Sequence, residues 1–304
     1  MLMTRTYPSA AVIALLCSVT CFAMVDGLGK YLVEAYPVAQ IAWARNFFFL
    51  IALVPLTPPR LWPLMIRTYR PWAIIGRSVL PLATTTLVIV GIRQIPLADA
   101  TAILFVAPLV MTVLSIPLLG ERVGIHRWMA VVVGFVGVLV ITRPGYGGFG
   151  LSAAILVAGA CLSALYQLLT RVLRVTETPE AMTFYTAFIG TIVAAVALPF
   201  DWVWPDLMGW VFLAASGLVY GFGQFLLVKA FSEAEASLLA PFLYAQILGA
   251  VVIGYLVFGD WPDMVSMLGT MIIIIAGLYV AWREHVAAKR EQKLNAALSV
   301  TLHK

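Results

Sequence analysis

Three ionisable side chains, Asp26, Arg45 and Arg77, stand inside long apolar runs. A charge held at membrane depth is costly, and such residues usually serve a substrate path, an ion path or each other. A guanidinium presents a fork of donors that fits a carboxylate or phosphate in bidentate fashion. A buried carboxylate can take an ammonium group, or bind and release a proton. Asp26 falls roughly 8 Å, and Arg45 roughly 10 Å, from the same end of their respective helices at 1.5 Å per residue. Two arrangements follow. Asp26 can pair with Arg45 on the next helix, or with Lys30 one turn on, leaving Arg45 to snorkel to the surface. Arg77 likewise reads either as a substrate contact or as a snorkelling anchor at the other face.

Polar and aromatic residues recur at helical spacing around these charges. Ser163, Tyr166, Gln167 and Thr170 share one run. Ser216, Tyr220 and Gln224 share a second, and Pro241, Tyr244 and Gln246 a third. Thr101, Phe105, Pro108 and Thr112 form a fourth, and Thr84, Thr85 and Thr86 stand together in a fifth. Amides and phenols are expensive in hydrocarbon unless they face water or a partner, so Tyr166, Gln167, Tyr220, Gln224, Tyr244 and Gln246 are candidates to line a cavity. Phe105 joins them on the Pro108 helix. The Ser, Thr and Gly positions fit close helix packing equally well. Pro108 and Pro241 each remove a backbone donor inside an apolar run, which supplies a hinge or free carbonyls facing a ligand. Asp26, Lys30, Pro108 and Pro241 are therefore the candidates for gating or coupling.

The elements that must position these residues follow from composition. The 304 residues are 62% hydrophobic and 11% charged, with mean hydropathy +1.00. Soluble domains carry about 25% charged residues, so the chain is expected to be a polytopic, all-α membrane protein. About 20 apolar residues cross a bilayer, and ten such stretches are predicted at 8–31, 38–57, 71–92, 98–119, 125–142, 149–171, 179–199, 206–229, 236–258 and 264–282. Arg5 with the apolar run 10–24 imitates a signal peptide, but the remainder is just as apolar and the run reads as the first helix. Cys17, Cys21 and Cys161 lie in apolar segments as packing residues. His126, His285 and His303 lie in a predicted loop and in the tail, so no metal site and no cofactor is expected. A membrane enzyme is disfavoured for the same lack of ligands and nucleophiles at depth.

The chain repeats. Apolar runs ending at Gly120-Glu121 and at Gly259-Asp260 each lead into another apolar run closed by arginine, Arg143 and Arg283, and the two glycines stand 139 residues apart. A period near half the length signals duplication. Residues 1–143 and 151–283 form the predicted repeats, 144–150 a Gly-rich linker and 284–304 a basic tail. Five spans per repeat is odd, so the second repeat enters from the opposite side: a five-plus-five inverted repeat, as in secondary transporters with a central site. With a cytoplasmic N-terminus, Lys30, Arg93 and Arg143 fall outside and nearly all other Lys and Arg inside, which predicts cytoplasmic termini. The tail is expected to meet anionic lipid, not nucleic acid.

Together these residues resemble the EamA branch of the drug/metabolite transporter superfamily. The resemblance rests on Arg45 early in the second span, Pro108 twelve residues before Gly120-Glu121, Ser163-Ala164-Leu165-Tyr166 ahead of Arg171, and Leu238-Leu239-Ala240-Pro241 before the second Gly-acidic turn. Gly259-Asp260 with Trp261-Pro262 departs from the family's Gly-Glu, and Asp26 is not a general family feature. Asp26 to Lys30 followed by Arg45 resembles a subgroup that includes bacterial S-adenosylmethionine and carboxylate-type carriers. The resemblance implies a secondary transporter of a small polar or zwitterionic metabolite in a bacterial inner membrane. Its expected partners are a small-molecule substrate, lipid and protons as a coupling ion, and it would act as monomer or homodimer. The competing reading is a non-transporting sensor or assembly subunit.

Overall fold

A backbone in lipid must satisfy its own hydrogen bonds, and a sequence this apolar does so as helices. The computed structural model describes residues 8–120, 124–143, 150–234 and 236–302. Its α-helices are α1 (Pro8–Leu32), α2 (Val38–Leu56), α3 (Trp62–Ile66), α4 (Pro71–Ile92), α5 (Leu97–Leu104), α6 (Ala107–Leu119), α7 (Ile125–Thr142), α8 (Gly150–Leu173), α9 (Pro179–Ala195), α10 (Leu207–Glu233), α11 (Ala236–Leu243), α12 (Ala245–Phe258) and α13 (Met264–Leu302). Ten helices or broken helices are long and apolar enough to cross a membrane, as the sequence predicts. Helix α13 continues through the basic segment as far as Leu302.

Two spans are broken, near Pro108 and near Pro241, whereas α4 stays continuous through Pro81. The fourth span splits into α5 and α6 at Phe105-Val106. There Phe105 N–H donates to Thr101 and Ala102 carbonyls, Val106 N–H to Ile103 and Leu109 N–H to Val106, a tightening to three-residue spacing. Pro108 does not kink a continuous helix; it occupies the first turn of α6, where its missing N–H costs nothing. The ninth span splits into α11 and α12 at Tyr244, three residues after Pro241. Both broken spans end on a glycine in the left-handed region, Gly120 at φ 66° and Gly259 at φ 71°. Asp260 N–H returns to Gly254 O at 2.9 Å, closing the second end. Glu121 and Arg122 beside the first turn, and most of the 144–150 linker, lie outside the described residues.

The packing pairs mirror one another between repeats. Helix α1 packs on α10 and α12 of the second repeat, while α8 packs on α4 and α6 of the first. Helix α2 against α10 matches α9 against α4, and the pairs α2–α9 and α7–α13 join corresponding spans. The α7–α13 crossing is a close backbone approach: a Cβ on Gly269 would sit 2.8 Å from Gly137 O, and one on Gly137 would sit 2.9 Å from Gly269 O. Small residues allow such contact, and in lipid this contact is itself the driving force. Several hydroxyls are spent locally: Thr86, Thr101, Thr112 and Ser216 donate to carbonyls three or four residues back. That matches the packing role for these positions.

Candidate functional site

Helix α1 carries Asp26 and α2 carries Arg45, and α10 and α12 pack against them. Arg45 is 5% exposed. Its Nη2 donates to Val25 O at 3.2 Å, and its Nε is buried without a partner. No carboxylate lies within 4 Å of it among the described residues, so the expected Asp26–Arg45 salt bridge is not formed, although the two charges act on each other. Snorkelling of Arg45 is also ruled out, because the guanidinium points inward. Asp26 instead accepts from Gln246 Nε2 at 3.1 Å. Gln246 lies two residues past the break at Tyr244, so the acid is tied to the broken ninth span of the second repeat.

Lys30 does not pair with Asp26. It reaches Asp260 at 2.5 Å, donates to Ile95 O at 3.1 Å and lies over the Phe258 ring. A lysine one turn away along the same helix was the local choice. Asp260 wins because the Gly259 turn brings it over the end of α1. Close by, Arg143 pairs with Asp263. That guanidinium and the Ser266 backbone N–H hold the Asp263 carboxyl down from 3.8 to about 2. A depressed carboxyl contributes stability that is lost only as pH falls through its folded value, so this pair is constant across pH of about 5 to 8. Both pairs join the first repeat to the second on the face that carries few cations.

Arg77 in α4 is buried as well, at 3% exposed, and does not snorkel. Four neutral oxygens from α8 and α9 accept its donors: Thr170 Oγ1 at 2.7 Å, Tyr166 OH at 2.9 Å, and Met182 O and Thr186 Oγ1 at 3.1 Å each. Its guanidinium also lies 4.4 Å from the Tyr166 ring centroid. Charge is stabilised here by dipoles and a π face, with no acid in contact among the described residues.

Tyr220 in α10 stands between the two arginines. Its hydroxyl accepts from Gln224 Nε2 at 3.0 Å, while its ring packs on Phe22 and Phe49. Gln224 also borders a cleft of about 180 Å³ between α2, α3, α9 and α10 on the cation-rich face. Gln167 is exposed and donates to Ser163 Oγ at 3.3 Å; on the helical wheel it falls between Thr170 and the buried Ala160. Phe105 and Tyr244 meet, ring centroids 4.9 Å apart. Asp26, Arg45, Tyr220 and Gln246 are thus gathered at one level, and Arg77 with Tyr166 at another.

Sequence reading passed over several tethers. Gln40 exchanges two hydrogen bonds with Val203, and Glu177 Oε1 accepts from the backbone of Tyr69 and Arg70. Asp99, 2% exposed, accepts from Ser266. Each sits at a helix start, where a polar residue looks like an ordinary cap.

A family model for EamA-like transporters matches residues 9–143 and again 150–282. The chain belongs to the EamA-like transporter family. The S-adenosylmethionine uptake transporter of Rickettsia bellii is 29% identical over 266 residues, 88% of this chain and 91% of that one. The riboflavin transporter of Rhizobium johnstonii is 30% identical over 293 residues, 94% and 95% of the two chains. The pseudopaline exporter of Pseudomonas aeruginosa is 27% identical over 270 residues, 88% and 94%. A crystal structure superposes with a TM-score of 0.64 at 14% identity, covering 90% of this chain and 96% of its own, a likeness of fold. This EamA-like protein is therefore a small-metabolite transporter of a bacterial membrane, crossing it many times. The doubled match agrees with the internal repeat read from the glycine turns.

Proposed function

We propose that this protein carries a metabolite with a zwitterionic, amino-acid-like head across the bacterial inner membrane by alternating access. The observation that carries the reading is Arg45: among the described residues, a buried cation with one hydrogen bond, a buried Nε without a partner, and no carboxylate in contact. Leaving a charged donor unmatched costs more than an ordinary lost hydrogen bond, and a substrate carboxylate would supply the match. Asp26, nearby and not bonded to Arg45, would take the ammonium group of the same head. S-adenosylmethionine, in the name of one relative, carries such a head. Arg77 is already saturated, so it acts second, once Tyr166 turns aside. The repeats divide at the 144–150 linker and move against each other, with Lys30–Asp260 among the contacts that must break.

Asp26 also offers proton coupling, and one variant separates the roles. Purified protein is reconstituted in liposomes with zwitterionic amino-acid compounds. If Asp26 is a proton carrier, Asp26→Asn abolishes accumulation driven by a pH gradient and keeps substrate exchange. If Asp26 is the ammonium partner, both fall together, by roughly 10-fold or more. Unchanged flux of every zwitterion would overturn the role given to Asp26.

The excess of Lys and Arg on one face supports cytoplasmic termini. In a cysteine-free background, single cysteines near Pro144 and Asp206 are expected to react with an impermeant thiol reagent on intact cells, and cysteines near Arg67 and Lys289 only after lysis. The reverse pattern would invert the orientation.

A further inference from the structure

We infer that Phe105 and Tyr244 form a clamp for a planar heteroaromatic ring on the transported metabolite, an inference that rests on the zwitterionic-head reading above. The two residues stand 139 residues apart, the same interval as the capping glycines Gly120 and Gly259. They occupy the points where the fourth and ninth spans break. The inverted repeat therefore brings the same position of each half face to face, and at both positions the side chain is an aromatic ring.

The rings lie 4.9 Å apart, tilted by 33°. That is within stacking range but neither parallel nor edge-on. Both are only half-buried, and the Tyr244 hydroxyl has no hydrogen bond among the described residues. A third ring between them needs about 7 Å between centroids, two aromatic contacts of about 3.5 Å. The clamp must open by roughly 2 Å. Interrupted backbone at each break can absorb that change through a few dihedrals, as hinge residues do. The clamp is joined to the head site through the chain itself: Gln246, two residues from Tyr244, donates to Asp26. A substrate with its head at Arg45 and Asp26 and its ring between Phe105 and Tyr244 would report binding to the break of the ninth span.

The test uses the full chain in lipid nanodiscs and binding calorimetry. S-adenosyl-L-homocysteine and L-tryptophan carry head and ring, L-norleucine the head alone, adenosine a ring alone. At least one of the two ring-bearing amino acids is expected to bind roughly 10-fold or more tighter than L-norleucine. Phe105→Leu and Tyr244→Leu should each erase that preference, while Tyr244→Phe and Phe105→Tyr should keep it. A preference that survives both leucine variants, or its absence in the wild type, overturns the clamp. The head reading fails separately: if Arg45→Gln leaves the affinities intact, or adenosine binds as tightly as S-adenosyl-L-homocysteine, the clamp stands and the head site does not. Absence of binding by all four compounds overturns both.

Discussion

Arg45→Lys is expected to cut substrate flux in liposomes by roughly 10- to 100-fold, although the charge is kept. Hydrogen bonds to charged groups are worth about 1.5–3 kcal/mol, and each 1.4 kcal/mol is tenfold. Lysine offers a point charge where the guanidinium offers a fork, so it cannot hold Val25 O and a carboxylate in the same geometry. Arg45→Gln removes the charge too and should be worse, since Asp26 then loses the cation that acts on it. The double variant Arg45→Gln with Asp26→Asn should recover thermal stability without recovering flux. Full transport by Arg45→Lys, at normal stability, would remove the head site from Arg45.

The second large effect is structural. Gly269→Leu is expected to prevent recovery of monodisperse protein, and Gly269→Ala to lower stability by about 1–3 kcal/mol. The first added carbon already meets Ile141 Cγ1 at 2.6 Å, Gly137 O at 2.8 Å and Ile141 N at 3.1 Å. Two of these are backbone atoms, which cannot turn aside, so α7 and α13 must separate. Gly76→Ala is the control: nothing lies within 4 Å of its added carbon, and alanine is the better helix former. Thermal unfolding in detergent should show a lower midpoint for Gly269→Ala and an unchanged or higher one for Gly76→Ala. Equal midpoints would mean the crossing relaxes freely.

The Arg77 cluster shows how a site escapes local reading. From the sequence, an arginine near a helix end on the cation-rich side reads either as a substrate contact or as a snorkelling surface anchor. In the fold, Tyr166 and Thr170 of α8 and Met182 and Thr186 of α9 enclose it. Those oxygens lie 89 to 109 residues along the chain, beyond any helical period. Lys30 is the same case with the opposite result: its neighbour Asp26 was offered by spacing, and Asp260 was chosen by a turn 230 residues away.

Apolar length alone determined the ten spans, because each helix satisfies its own backbone in lipid and needs no partner to exist. The glycine turns and the half-chain period determined the two repeats, and an odd count of spans determined their inversion. Pro108 and Pro241 lie in the two spans that break, but Pro81 lies in one that does not, and only the hydrogen bonds revealed that Pro108 begins a helix instead of bending one. Charge at depth marked Asp26, Arg45 and Arg77. The tertiary structure decided which of these is left unsaturated. Saturation depends on oxygens delivered by other spans, and their arrival is set by helix crossings such as Gly137 on Gly269, where an added Cβ would meet backbone oxygen at 2.8–2.9 Å.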